Sequence, residues 1–215
     1  MSIPYYTNPS SLVKEKEFVY FLGFLWADGY ICKRTNSIEI NIKQDDFENL
    51  SVPLGKFIHW NIFYKQRFIN GKKYGAKQIK AQKSLSWLKP FLLEHGYGNK
   101  SGGDPASILS MIPQKLHFFW WRGYFDGDGC IALSKNGCRN LAFWSTIDQN
   151  WSSLIAMMTH IEVPFKVYLY ERKCGNSSAL TVTRTSSIIK IRNYLYPDGY
   201  DGIGLMRKFE KLISL

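Results

Sequence analysis

Two short stretches, one hundred positions apart, constrain the fold of this chain more than any other feature. The first reads Gly23-Phe24-Leu25-Trp26-Ala27-Asp28-Gly29-Tyr30-Ile31 and the second Gly123-Tyr124-Phe125-Asp126-Gly127-Asp128-Gly129-Cys130-Ile131. Glycine, aromatic, bulky apolar residue, small residue, Asp-Gly and isoleucine fall in register, which implies a duplicated unit of about one hundred residues. Each copy follows an apolar run, Phe18 to Trp26 and Leu116 to Trp121, and ends in a carboxylate. Carboxylates avoid such surroundings unless they are paired or hold a metal.

Small residues recur four positions apart in both copies, at Gly23 and Ala27 and at Gly123 and Gly127. Positions i and i+4 share a helix face, so each motif helix carries a smooth patch. Two such patches allow close helix packing with the C-terminal ends side by side, where Asp28 and Asp128 meet. Adjacent carboxylates repel, and each has a raised pKa unless a cation lies between them. A hard divalent ion with oxygen ligands resolves the conflict, and Mg²⁺ is the expected cofactor, with Mn²⁺ as a substitute and Ca²⁺ binding without supporting chemistry. The bland alternative, that Asp-Gly merely ends two core helices, does not explain why it occurs twice in register. An EF-hand loop starting at Asp126 fails, because Cys130, Ile131 and Gly137 stand where it needs a ligand, a glycine and a final acid.

The formal net charge is +11, with 15 basic and 9 acidic residues in 1–107 and 13 and 8 in 108–215. The excess is therefore shared by both halves, and an acidic polymer is the natural partner. Cys32, Cys130, Cys138 and Cys174 are too scattered for a zinc ribbon or a disulfide scaffold and read as reduced thiols. The four histidines show no ligand spacing. No signal-like start is visible, and Phe18 to Trp26 is far short of a membrane span. A soluble intracellular protein without membrane contact is expected, in cytoplasm or an organelle matrix.

Pattern reading gives an extended arm over 1–13, a buried helix from Lys14 to Trp26 ended by a left-handed Gly29, and a half-buried strand with Ile38, Ile40 and Ile42 on one face. A helix capped by Asp45 or Asp46 then runs to about Phe57, with a break at Pro53. A second hairpin turns at Asn70-Gly71, and a helix follows from Ser84 to His95. From Asn61 to Lys89 there are eight basic residues and no acid. The order repeats from Gln114 onward, with hairpins turning at Asn136-Gly137 and Gly175-Asn176 and a helix from Asp148 to Ile161 capped by Thr146 or Asp148. The expected organisation is an N-terminal half 1–97, a Gly/Ser/Pro-rich linker 98–113 and a C-terminal half 114–215. Each half is α+β with the order αββαββα.

The stretches Phe21-Leu22-Gly23-Phe24-Leu25-Trp26-Ala27-Asp28-Gly29 and Trp121-Arg122-Gly123-Tyr124-Phe125-Asp126-Gly127-Asp128-Gly129 resemble the motif of LAGLIDADG homing endonucleases, in the monomeric two-motif form. One departure is Trp26, where that family often has an acid. The resemblance implies two pseudo-symmetric halves with motif helices packed at the centre and antiparallel sheets forming a saddle on double-stranded DNA. It implies a site-specific, Mg²⁺-dependent double-strand break with short 3′ overhangs at a long, mostly asymmetric target, by an intron-encoded or free-standing protein. It places divalent metal at Asp28, Asp128, Gly29 and Gly129, and catalytic basic residues at positions that Lys100 and Lys208 resemble in the two pockets. Asn41, Gln44 and Ser145 are candidates for ordering water. DNA contacts are expected from the hairpin faces, at Lys33, Arg34, Lys43, Lys65, Arg67, Lys77, Lys80, Lys135, Arg139, Lys166, Arg172 and Arg184. The alternative on the same fold is a maturase acting on its own intron RNA, or an inactive nucleic-acid-binding protein.

Overall fold

In the computed structural model each motif closes a helix, α2 (Lys16–Asp28) and α6 (His117–Asp128), and these two helices pack on each other as the central seam. Glycine permits the approach. A Cβ on Gly23 would lie 1.9 Å from the Trp120 carbonyl oxygen, and one on Gly123 2.1 Å from that of Tyr20. A Cβ on Gly127 would lie 2.3 Å from the Ala27 methyl. These neighbours are backbone or Cβ atoms, so no rotamer change makes room. Phe18, Phe21, Phe24, Trp120 and Phe125 are fully buried around the seam. Each such side chain contributes roughly 1.5–3 kcal/mol by leaving water.

The structure describes residues 9–32, 37–55, 57, 60–69, 72–81, 87–133, 139–171 and 175–214. A short α1 (Pro9–Leu12) precedes α2. The first half continues with β1 (Gly29–Cys32), β2 (Ser37–Lys43), α3 (Gln44–Gly55), β3 (Trp60–Ile69), β4 (Lys72–Ala81) and α4 (Leu88–Glu94). After α5 (Ala106–Met111) and a 3-10 turn at Gln114–Leu116, the second half runs through α6, β5 (Gly129–Leu133), β6 (Arg139–Thr146), α7 (Ser152–His160), β7 (Lys166–Tyr170), β8 (Ser177–Val182), α8 (Thr185–Leu195) and α9 (Met206–Ile213). The repeated αββαββα order is as expected. The sheets are antiparallel, ordered β1-β2-β4-β3 and β5-β6-β8-β7. Alternation gives each sheet one core face, with Ile38, Ile40 and Ile42 in the first and Leu141, Phe143, Leu180 and Val182 in the second. On the opposite parity Asn41 and Lys43 of the first sheet and Lys166 and Tyr168 of the second are exposed. No helix among the described residues is long and apolar enough to cross a membrane.

Three local expectations need correction. Gly29 is not left-handed: its φ of −78° and ψ of 156° make it the first residue of β1, and Gly129 matches it at −76° and 147°. Glycine is required there because a Cβ would fall 2.4 Å from the Leu25 carbonyl oxygen, or 2.3 Å from that of Phe125. The helix α3 continues to Gly55, with Pro53 in its last turn and no break there. Segment 98–113, expected as a linker, holds α5, whose first amide, Ala106 N–H, donates to Asp104 Oδ1 at 2.8 Å. Finally, α7 starts at Ser152 rather than Asp148, because Asp104 Oδ2 accepts from the Ser153 amide at 2.8 Å. That cap comes from the linker and fastens it to the second half.

Candidate active site

The seam brings the C-terminal ends of α2 and α6 together, and a Cβ on Gly127 would lie 3.4 Å from the Asp28 amide nitrogen. Asp28 is exposed at its tip and Asp128 is half-buried. Crowding by the surrounding protein raises both carboxyls above their ordinary range, Asp128 to about 7. For Asp128 the second cause is the like charge of Asp28, while Lys100 and Lys208 pull both carboxyls downward.

Those two lysines occupy equivalent places. The Lys100 ammonium donates to the carbonyls of Leu25 at 3.1 Å, Ala27 at 3.1 Å and Gly29 at 2.5 Å. Lys208, itself buried, donates to Phe125 at 2.7 Å, Asp126 at 2.6 Å and Gly129 at 2.7 Å, with Gly127 at 3.5 Å. Each lysine therefore adds a donor to carbonyls at the end of one motif helix, where Leu25 and Phe125 also accept from the Gly29 and Gly129 amides, and its charge complements the negative end of the helix dipole. Burial lowers both lysine pKa values, Lys100 to about 8. The carbonyls of Gly29 and Gly129, expected beside metal, face these ammonium groups.

The two halves differ behind this shared plan. In the second, Asp126 is buried, and its Oδ2 accepts from the Tyr20 hydroxyl and the Leu205 amide, both at 2.8 Å, tying α2 and the start of α9 to α6. In the first, Trp26 fills the matching position and meets Tyr97 edge-on at 4.9 Å, while the Tyr97 hydroxyl donates to the Leu22 carbonyl at 2.9 Å. A hydrophobic bolt thus stands where the other half has a polar one. Beneath the second bolt Arg122 is buried, pairing with Asp201 at 2.6 Å and lying 4.2 Å from the Tyr196 ring. Asp201 also accepts from the Ile203 amide at 3.2 Å, so it serves both a turn and an ion pair.

Two residues near the carboxylates escaped sequence reasoning. Register aligns Ile40 with Phe143, opposite Gly29 and Gly129, and this makes Asp46 and Gln149 equivalent. Asp46 forms a bidentate pair with Arg207 of α9, at 2.6 and 2.8 Å, and raises the Asp28 pKa while Arg207 lowers it. Gln149 accepts from Ser145 at 2.7 Å and donates to the Gly103 carbonyl at 2.7 Å. It lines a cleft of about 440 Å³ with Lys100, Tyr124, Asp128, Trp144 and Ser145. Only knowledge of the shared register could have paired Asp46 with Gln149.

Other candidate residues are dispersed. Asn41 and Lys43 are exposed on the open face of the first sheet, and Lys166 on that of the second. The side chains of Lys65, Arg67, Lys77 and Lys80, in β3 and β4, lie outside the described residues. Arg139 and Ser145 take the core-side parity of Phe143, and Arg139 donates to the Thr185 hydroxyl at 3.2 Å. Arg184 is exposed just before α8. Lys33, Arg34, Lys135 and Arg172 lie outside the described residues, as does the side chain of Gln44.

Among the described residues no group of three or more His, Cys, Asp or Glu side chains could hold a metal. A cation at the seam would rest on Asp28 and Asp128, with water and phosphate oxygens completing its shell. That all-oxygen set fits a hard divalent ion, and the repulsion raising Asp128 is what such an ion relieves.

No family model matches the chain. It is 25% identical over 138 residues to an uncharacterized protein of Methanocaldococcus jannaschii, covering 61% of this chain and 48% of that one. It is 26% identical over 166 residues to a probable translation initiation factor IF-2 of the same organism, covering 76% of this chain and 13% of that one. The chain thus spans about half or less of the curated relatives it matches. Among solved structures it resembles the homing endonuclease I-WcaI bound to its DNA recognition sequence, with a TM-score of 0.61, 14% identity and coverage of 93% of this chain and 87% of the other. I-DmoI in complex with DNA and Ca gives 0.55, 14%, 93% and 98%. Full-length DUF199/WhiA from Thermatoga maritima gives 0.51, 15%, 95% and 63%. The chain has the fold of the LAGLIDADG homing endonucleases.

Proposed function

We propose that the chain is a site-specific DNA endonuclease that makes a divalent-metal-dependent double-strand break with short 3′ overhangs. The observation that supports this best is the glycine seam, which sets Asp28 and Asp128 at one joint between two open sheet faces. A fold alone does not carry an activity, and the reading therefore rests on this site.

Asp28 and Asp128 hold the divalent ions, which when bound supply charge stabilisation at the phosphate oxygens and an activated water. The remaining work belongs to the chain. The Lys100 and Lys208 bonds to helix-end carbonyls keep the carboxylate-bearing turns in place, and their charges add positive potential toward phosphate. In the open cleft, Gln149 and Ser145 present polar groups beside Asp128. The open faces of the two sheets carry the duplex, and Lys43 and Lys166 neutralise phosphates at its flanks. With one carboxylate from each half, a single chain suffices, so the active species is a monomer. Mg²⁺ is the working ion and Mn²⁺ replaces it.

The test is incubation of the full chain with a duplex that it selects from a random library, in Mg²⁺. Discrete double-strand cleavage with 3′ overhangs is expected. Tight binding to intron RNA without any cut in the DNA would overturn the endonuclease reading in favour of a maturase.

A further inference from the structure

We infer that the second sheet recognises its half of a DNA target by apolar contact with thymine methyl groups. This rests on the chain binding duplex DNA as an endonuclease. Register sorts the two open faces. On the first, Lys43 is exposed, while Glu39 of the same strand is buried. On the second, Lys166 is the one charged side chain among the described residues of that face.

Aromatic rings take the place of charge. Trp144 of β6 and Tyr170 of β7 approach to 5.1 Å between ring centroids, and Tyr168 lies 6.3 Å from Tyr170. The strand between them, β8, offers Ser177 and Ala179 opposite these residues, small enough for the rings to meet above it. Tyr168 and Tyr170 share the parity of Ala179 and Ser177, opposite that of the buried Leu180 and Val182, so the strip lies on the face away from the core. It is also continuous with the catalytic end, since Trp144 lines the cleft that contains Asp128. A duplex seated at the two carboxylates therefore lays its adjacent major groove along the strip.

Aromatic ring faces gain little from phosphates. In the major groove the one apolar feature that distinguishes a base is the thymine C5 methyl. Burying a methyl against a ring strengthens binding about fourfold, the equivalent of about 0.8 kcal/mol. Uracil lacks this group, so the strip favours DNA over an RNA of the same sequence.

The test starts with sites selected by the full chain from a randomised duplex library. Enrichment of A·T pairs is expected in one half-site only. Replacing its thymines by deoxyuridine should weaken binding about fourfold for each methyl in contact. Tyr168→Ser, on an exposed edge position, should lose the preference at one position without changing the salt dependence of binding. Equal affinity for thymine and deoxyuridine sites would overturn the inference while leaving the endonuclease reading intact. Tighter binding of single-stranded RNA through the same rings would overturn it as well, making the strip a stacking platform. Failure to bind any duplex would sink both.

Discussion

Replacing Asp128 by asparagine should stabilise the metal-free protein, and the gain should grow with pH. In the folded chain burial and the Asp28 charge raise Asp128 to about 7, whereas an unfolded aspartate titrates near 3.9. A folded-state pKa above the unfolded one means the native state holds the proton more tightly. Stability from this group is therefore complete below about pH 4 and is lost as pH rises through about 7. About three units at 1.36 kcal/mol each put the cost of ionised Asp128 on the order of 4 kcal/mol above pH 7. In urea unfolding with a chelator, Asp128→Asn should match the wild type near pH 4 and exceed it by about 2 kcal/mol near pH 5.5 and about 4 kcal/mol near pH 8. Added Mg²⁺ or Ca²⁺ should narrow the gap by stabilising only the wild type, since a ligand that binds the native state adds stability in proportion to its occupancy. A variant no more stable than the wild type at pH 8 in chelator would show that the two carboxylates are not crowded at one joint.

Gly123→Ala should abolish cooperative unfolding in circular dichroism melts, because its methyl would lie 2.1 Å from a backbone oxygen across the seam. Lys208→Met should cost about 1–3 kcal/mol in urea unfolding by removing the charged donor shared by the Phe125, Asp126 and Gly129 carbonyls. Asp46→Ala should cost about 1 kcal/mol and show weaker dependence of stability on salt, since it removes a bidentate pair whose arginine is partly exposed.

The seam and the element order were legible in the sequence because both are local and repeated. Small residues four apart mark a helix face, and the alternation of Ile38, Ile40 and Ile42 marks a half-buried strand. What was not legible depends on contacts between distant segments. Asp104 caps α7 from the linker, 49 residues away, and Asp46 of α3 meets Arg207 of α9 across 161 residues. The bonds of Lys100 and Lys208 to helix-end carbonyls are equally remote in sequence, at separations of 71 and 79 residues to Gly29 and Gly129. Glycine after each aspartate was foreseen, but for the wrong cause. Turn chemistry suggests a positive φ, whereas the actual constraint is the carbonyl one turn back. The aromatic strip was hidden because Trp144 and Tyr170 meet only after β8 enters between their strands.

The central claim is that one carboxylate from each half jointly serves cleavage of both strands. It is tested most directly by strand-resolved cleavage of an end-labelled selected duplex in Mg²⁺, with binding measured in parallel. Asp28→Asn and Asp128→Asn should each leave affinity within about threefold, below the tenfold that 1.4 kcal/mol would give, and make no double-strand break. Either variant cutting both strands at the wild-type rate would place the catalytic site elsewhere.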